Sequence, residues 1–366
     1  MNLLKLRAAY GQTGGPAFFG ALYSPLVAIS TGGRPGLLPS TLIGNTEIRP
    51  ERATEFEAGI DIGMLDNRIG LEASVYNKEV IDLVDIYALA PATGLTSRRA
   101  YNVGDLRNQG LELSLTVVPV RSTFLNWSST TQFWLNRSKV TRLNTDPTVP
   151  PFNTGLGFGA TFGRNIFTVG ESPSRWYGSP GSPSDSRSNT FSGLTRYEEA
   201  QPTFQMSFLN NFTVAKNFEV SFLLHWKKDG YVANLSRLLQ DEGGTTVDWL
   251  DPSTLLDGSG NARPKGIARR TTNSTAREYI QNAGYVRLRE VSLYYSLPAS
   301  LRTSLFKDYV KNFRIGVSGN NLLTWTDYVG YDPEVSNFGS TGNFAQVDVA
   351  NYPNTRRFFL HLNLDF

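Results

Sequence analysis

The chain has 366 residues, of which 40% are hydrophobic, 12% aromatic and 18% charged, too apolar and too aromatic for a disordered polypeptide. It holds no cysteine and only two histidines, His225 and His361, which excludes disulfides, thiolate metal centres and cysteine nucleophiles; no metal and no cofactor are expected. A formal charge of +3, from 35 basic and 32 acidic residues without a basic run, argues against nucleic acid as a partner.

The opening MNLLKLRAAY is broken by Lys5 and Arg7 before a signal-peptide core can form, and no window approaches a membrane-spanning helix of about 18 uninterrupted apolar residues. Strict period-two alternation is instead the dominant pattern. Phe56, Ala58, Ile60 and Ile62 alternate with Glu57, Gly59, Asp61 and Gly63. Leu111, Leu113, Leu115 and Val117 oppose Glu112, Ser114 and Thr116, and Phe218, Val220, Phe222, Leu224 and Trp226 oppose Glu219, Ser221 and His225. Phe313, Ile315 and Val317 oppose Arg314, Gly316 and Ser318. At the C-terminus Phe358, Leu360, Leu362, Leu364 and Phe366 share one face, and Phe359, His361, Asn363 and Asp365 the other.

This pattern predicts about ten strands, near residues 2–10, 52–64, 67–79, 107–118, 123–138, 203–214, 217–229, 284–297, 311–323 and 355–366. The apolar phase shifts between Leu288 and Val291, which predicts a bulge. Tight turns fall near Asp66, Pro119 and Lys216, and PASLRTSLFKDYV after Leu297 has room for one short helix. The interleaved links, 11–51, 80–106, 139–202, 230–283 and 324–354, are far longer.

Short links at one end of a sheet and long ones at the other are unusual in a compact soluble domain. They fit an all-β, antiparallel transmembrane β-barrel with short periplasmic turns, long extracellular loops and strands apolar outside and polar inside. Tyr10, Trp127, Phe204, Trp226, Tyr295 and Phe366, at or near strand ends, fit aromatic belts at the membrane interfaces. A soluble β-sandwich is the alternative from pattern alone.

The wording of several segments carries a resemblance. LRAAYGQTG, LIGNTEIRPERATEFEAGIDIGMLDNRIGLEASVYNKEVIDLV, YNVGDLRNQGLELSL, VGESPSRWYG, AGYVRLREVSLYYSLP, VSGNNLLTWTDYVGYDPEV and YPNTRRFFLHLNLDF occur in this order. The chain resembles the late-barrel segments of SusC/RagA-type TonB-dependent outer-membrane transporters from Leu3 to Phe366. The resemblance implies a 22-stranded barrel occluded by a plug, energised through the TonB complex and lidded by a SusD-like surface lipoprotein, importing oligosaccharides (glycans) or peptides. The plug, the signal peptide and the earlier strands have no counterpart here, so residues 1–366 are expected to be the C-terminal portion of such a barrel, a truncated fragment. Two rival readings are a free-standing small outer-membrane pore or adhesin and a secreted soluble carbohydrate-binding β protein.

No catalytic residue is expected, and the chain reads as no enzyme. Glu51, Glu55, Glu57 and Asp61 cluster on one strand, but Glu55, Glu57 and Asp61 share a face with glycines and read as lumen-lining, together with Glu112, His361 and Asn363. GLGFGATFGRN, with Gly155, Gly157, Gly159 and Gly163, lacks the strand and the Lys-Ser/Thr ending of a phosphate-binding loop. Trp176, Tyr177, Tyr231, Trp249, Trp325, Tyr328 and Tyr331 lie in or beside long links, where aromatic rings can cover sugar or peptide faces or contact the lipoprotein lid. Arg98, Arg99, Arg287, Arg289, Arg356 and Arg357 read as solvated rim charge. Phe366 resembles the C-terminal aromatic signal for the barrel-assembly machinery. The expected location is the outer membrane, with lipid against the apolar face.

Overall fold

A computed structural model describes residues 1–17, 20–40, 42–88, 98–144, 163–178, 194–252, 254–256, 262–271, 278–307, 309–336 and 347–366. Ten long strands form its wall: β1 (Leu3–Gly15), β2 (Glu51–Met64), β3 (Ile69–Ala88), β4 (Arg98–Arg121), β5 (Leu125–Leu143), β6 (Phe204–Val214), β7 (Phe218–Lys228), β8 (Tyr285–Ser296), β9 (Asn312–Trp325) and β10 (Arg357–Asp365). All ten strands expected from the alternation are present. Each is hydrogen-bonded to its neighbour in chain order, an antiparallel up-and-down meander. Among the described residues β1 and β10 each pair along one side only, so the sheet is open at both ends.

The turn chemistry explains the short connections. Leu65, Asp66 and Asn67 take left-handed φ angles of 52°, 53° and 58° between β2 and β3, and Ala215 (48°) and Lys216 (64°) are the central residues of the Val214–Asn217 turn between β6 and β7. Positive φ at both central residues matches the right-handed twist of the flanking strands. The connection from β8 to β9 holds the expected helix, Ala299–Phe306, whose Phe306 stacks on Phe313 with ring centroids 5.5 Å apart. The bulge predicted from the phase shift lies where β8 loses register with both neighbours, around Arg289.

Four strands run further than the alternation indicates, β1 and β5 by five residues and β3 and β4 by nine. β3 and β4 extend to Ala88 and back from Arg98, so most of the link expected at 80–106 is paired strand. The pairing passes a bulge at Asp82, whose φ is 56° and whose N–H donates to Asp105 Oδ1 at 3.0 Å. Beyond that bulge both faces meet water or loops, which removes the apolar–polar contrast on which the sequence reading depends.

Register places the apolar residues in one continuous surface. Leu111, Leu113, Leu115 and Val117 face Val75, Ala73, Leu71 and Ile69 across one ladder; Leu111, Leu113 and Leu115 face Leu135, Phe133 and Thr131 across the other. The surface remains exposed, with Leu360 75% and Val317 51% accessible. No second sheet covers it among the described residues, which is the reverse of a sandwich. The buried clusters lie instead in the loops at one end, the largest around Trp176, Tyr197, Leu235, Leu238, Tyr279 and Ile280.

Aromatic rings bound this surface at two levels. Near one level Phe204 meets Trp226 edge to face at 4.9 Å and Phe133 at 5.4 Å. Near the other, Trp127 stacks on Phe212 at 5.6 Å and Phe218 packs on Tyr295 at 4.6 Å. Trp226 and Phe218 are separated by eight residues of β7, roughly 26 Å along the strand at about 3.3 Å per residue; at the tilt of about 35–45° in an outer-membrane barrel that is about 20 Å of height, most of an apolar band of about 25 Å.

An outward charge should therefore cost far more than an inward one. Leu113→Arg is expected to destabilise folding into lipid vesicles by about 2–4 kcal/mol, whereas Ser114→Arg on the opposite face should cost much less. Urea titrations followed by heat-modifiable electrophoretic mobility measure both; equal costs would contradict a lipid-facing Leu113.

Candidate functional site

The opposite face of the wall is a lattice of polar side chains. Asp61 on β2 pairs with Arg7 (2.8 Å) and Lys5 (3.7 Å) on β1, and Glu55 with Lys78 at 3.6 Å. Arg7 also donates to Ser74 Oγ at 3.3 Å, and Glu51 Oε1 accepts the Val84 N–H at 2.6 Å. Three of the four clustered carboxylates are thus engaged with cations or backbone. Glu57 and Glu112 line a cleft of about 600 Å³ with Arg7, Glu72, Gln132 and Trp134. Trp134 stacks on His225, with centroids 5.7 Å apart.

Toward the C-terminus the face continues through Ser318, hydrogen-bonded to His361 Nε2 at 2.8 Å, and through Arg314, which pairs with Glu219 and lies 3.9 Å above the Tyr294 ring. Asn363 faces Arg314 across the β9–β10 ladder. Two tyrosines lie flat across glycines of the next strand. A Cβ at Gly110 would sit 2.2 Å from Tyr76 Cζ, and one at Gly316 would sit 2.1 Å from Tyr294 Cδ1. Trp134, Tyr76, Tyr294 and Arg314 carry the same inward phase as the lumen-lining residues expected from sequence, and that phase was the signal available for them.

At the end with the long links the loops build a canopy. Tyr231–Asn234 pairs antiparallel with Ile280–Asn282 and parallel with Val347–Asp348, and leads into α1 (Leu235–Glu242), capped by Asn234 accepting the Arg237 N–H at 2.9 Å. A second helix, α2 (Lys265–Thr271), carries Arg269, buried with a forked contact to the fully buried Asp241 at 2.9 and 2.7 Å. Arg269 also reaches Asp248 at 2.7 Å, and Tyr279 donates to Asp241 at 3.0 Å. The Arg269 hydrogen bond, aided by charge from Arg269 and Arg237, holds the Asp248 carboxyl below the usual carboxylate range. These contacts join residues far apart in the loops and leave no periodic trace in the sequence.

The seven loop aromatics part company here. Trp176, Tyr177 and Tyr328 are buried in loop cores, Trp176 donating to the Tyr231 carbonyl at 2.9 Å and Tyr328 to Asp348 at 2.7 Å, which withdraws them from a ligand. Trp325 stands exposed on the apolar face in register with Val286, level with Trp226. Tyr331 is exposed and lines a polar cleft of about 440 Å³ with Arg237, Gln240, Thr246 and Asp248. Tyr231 lines another of about 680 Å³ with Arg137, Lys139, Glu171 and Arg175, and Trp249 is half-buried against Gly244 and Gly266. Of the rim arginines, Arg287 is fully buried and Arg289 is ion-paired, which corrects their reading as solvated charge; their partners on another loop lie beyond what spacing reveals. Gly155, Gly157 and Gly159 lie outside the described residues, and Gly163 takes a φ of 92° against Trp176.

A family model described as "TonB dependent receptor-like, beta-barrel" matches residues 2–322. The chain is 28% identical to TonB-dependent receptor P3 of Formosa agariphila over 99% of its own length and 39% of that protein's. It is 23% identical to TonB-dependent receptor SusC of Bacteroides thetaiotaomicron over 88% of its length and 32% of SusC. Among solved structures it superposes on the RagAB peptide transporter with a TM-score of 0.77 at 21% identity, covering 99% of this chain and 41% of that one. The chain spans about two-fifths of the length of the first of these relatives.

The canopy should be the acid-sensitive part of the molecule. Because the folded pKa of Asp248 lies below the unfolded value near 4, the pair stabilises the loops above that pH and the stability is lost as pH falls through the folded value. Arg269→Ala, which strands a buried Asp241 carboxylate, should cost about 3–5 kcal/mol. It should open residues 231–252 and 278–282 to limited proteolysis at neutral pH while the wall stays intact; unchanged protection would show that the pair holds nothing in place.

Proposed function

This chain belongs to the TonB-dependent receptor-like β-barrel family, and from that premise we propose that its ten strands are the C-terminal part of the wall of a SusC/RagA-type importer in the outer membrane. The observation that carries this reading is the pairing of an exposed apolar surface, banded by aromatic rings, with a hydrated mixed-charge face opposite it. The unpaired edges of β1 and β10 favour a larger ring over these ten strands closing alone, because an open sheet edge is untenable in lipid.

The imported class in this proposal is an oligosaccharide or a peptide too large for general porins. It crosses without covalent change: the loops capture it, the polar face offers hydrogen bonds without an apolar trap, and a plug remodelled through the TonB complex admits it. A SusD-like surface lipoprotein closes the outer mouth. Tyr331, Tyr231 and Trp249 are the loop aromatics placed to touch cargo or lid. Glu55, Glu57, Asp61, Glu112, His361 and Asn363 line the passage, and Phe366 is the signal read by the barrel-assembly machinery.

Cells lacking the gene should lose growth on one oligosaccharide or peptide source, and a copy restored in the genome should recover it only while the TonB system is energised. Undiminished uptake across panels of both nutrient classes would refute the assignment. Tyr331→Ala should lower uptake severalfold at an unchanged level of folded barrel, whereas Phe366→Ala should lower that level itself, read by immunoblot of outer-membrane fractions.

A further inference from the structure

Two sequence landmarks, YVRLRE at the start of β8 and YDPEV after β9, meet in the fold. Arg287, whose side chain is 2% exposed, donates to Asp332 Oδ1 at 2.7 Å and to Glu334 Oε2 at 2.5 Å. Arg289 grips both oxygens of Glu334, one of them at 2.6 Å, and the Tyr285 hydroxyl also donates to Glu334. His225 Nδ1 accepts from Arg289 at 2.9 Å and lies 3.0 Å from the Tyr285 hydroxyl, so the proton of a neutral imidazole sits on Nε2. Burial pushes the Glu334 carboxyl up, but the hydrogen bonds from Arg289 and Tyr285 outweigh it and hold the group below its ordinary value.

The distribution of charge in this cluster is one-sided. Lys227, Arg287 and Arg289 surround the Tyr285 ring at 5.4, 5.2 and 5.6 Å, and all three belong to the wall. Both carboxylates belong to the loop. Lifting the loop would leave the buried Arg287 without its carboxylates and Arg289 without Glu334, so the contact holds the loop far more firmly than a surface ion pair does.

The same loop segment is tied to the rest of the canopy. Asp332 accepts the N–H groups of Glu334 (2.9 Å) and Asn354 (3.2 Å). Tyr328 donates to Asp348, which also accepts from Ser236 at the head of α1 at 2.7 Å, and the Ala350 N–H closes on Ser236 Oγ at 2.6 Å. Thr326 donates to the Gly284 carbonyl at 2.7 Å.

We propose that Asp332 and Glu334, clasped by Arg287, Arg289 and Tyr285, form an ionic latch that fixes the loop residues 229–252, 278–284, 326–336 and 347–356 to the wall as a stationary abutment, so that cargo-dependent movement is confined to other segments. The fixity concerns this chain alone; only its place in a transport cycle rests on the function proposed above.

Hydrogen–deuterium exchange on the protein extracted from outer membranes in mild detergent tests the latch. Amides of 328–336 and 231–242 should exchange within tenfold of those in β8 and β9; faster exchange than that overturns the proposal whatever the variants do. Glu334→Gln should accelerate both loop segments at least tenfold with β8 and β9 unchanged, while Glu219→Gln, which removes a different ion pair on the same face, should leave them as they were. A folded Glu334→Gln protein with wild-type exchange overturns the proposal as well. Loss of the transport reading would appear in the uptake assays and leave these rates untouched.

Discussion

A backbone in hydrocarbon has no water to satisfy it, so every N–H and C=O must find its partner inside the protein while every second side chain meets acyl tails. The ten-strand meander meets both demands with one device, an unbroken antiparallel register. A one-residue slip would carry Leu111, Leu113 and Leu115 to the wet face and Glu112 and Ser114 into lipid, which is why the ladder from β3 to β5 keeps phase through the membrane-level stretch. The register breaks at Asp82 and between Val117 and Val120 lie at the two ends of that stretch, and the one at Arg289, opposite Leu223 and Leu224, lies a little below the upper aromatic level, where it re-aims a useful side chain.

What was legible beforehand follows from this constraint. Alternation is enforced wherever one face is lipid and the other water, so all ten strands, the shift near Leu288 and the two faces of the last strand could be read from residue order alone. Where β3 and β4 climb above the apolar band the contrast disappears, and the pairing of Val84 to Ala88 with Arg98 to Asn102 left no pattern to read. The loop aromatics mark the same boundary. Composition places Trp176, Trp325 and Tyr331 in one class, yet one fills a core, one joins the belt and one faces solvent, because their surroundings come from segments distant in the chain.

The two regions of the molecule therefore use opposite strategies. The wall leaves its large apolar residues uncovered and spends its polar ones on short cross-strand contacts. The canopy buries its aromatics and takes charged groups with them, Arg269 with Asp241 and Arg287 with Asp332, each satisfied by several hydrogen bonds. Buried pairs of this kind add little net stability over an apolar core but discriminate strongly against any arrangement that separates them. Long loops gain a single conformation by that route, beside the burial of their aromatics.

The reclining tyrosines have a consequence for the bore. Tyr76 and Tyr294 occupy the space above Gly110 and Gly316 with their ring faces, and so project the thickness of an aromatic plane instead of its full length. A bulkier residue at either glycine would meet the ring within 2.2 Å, tip it upright and raise the polar face at that height. The glycines thus act as spacers that keep the polar face low and smooth where a stiffening side chain bridges two strands.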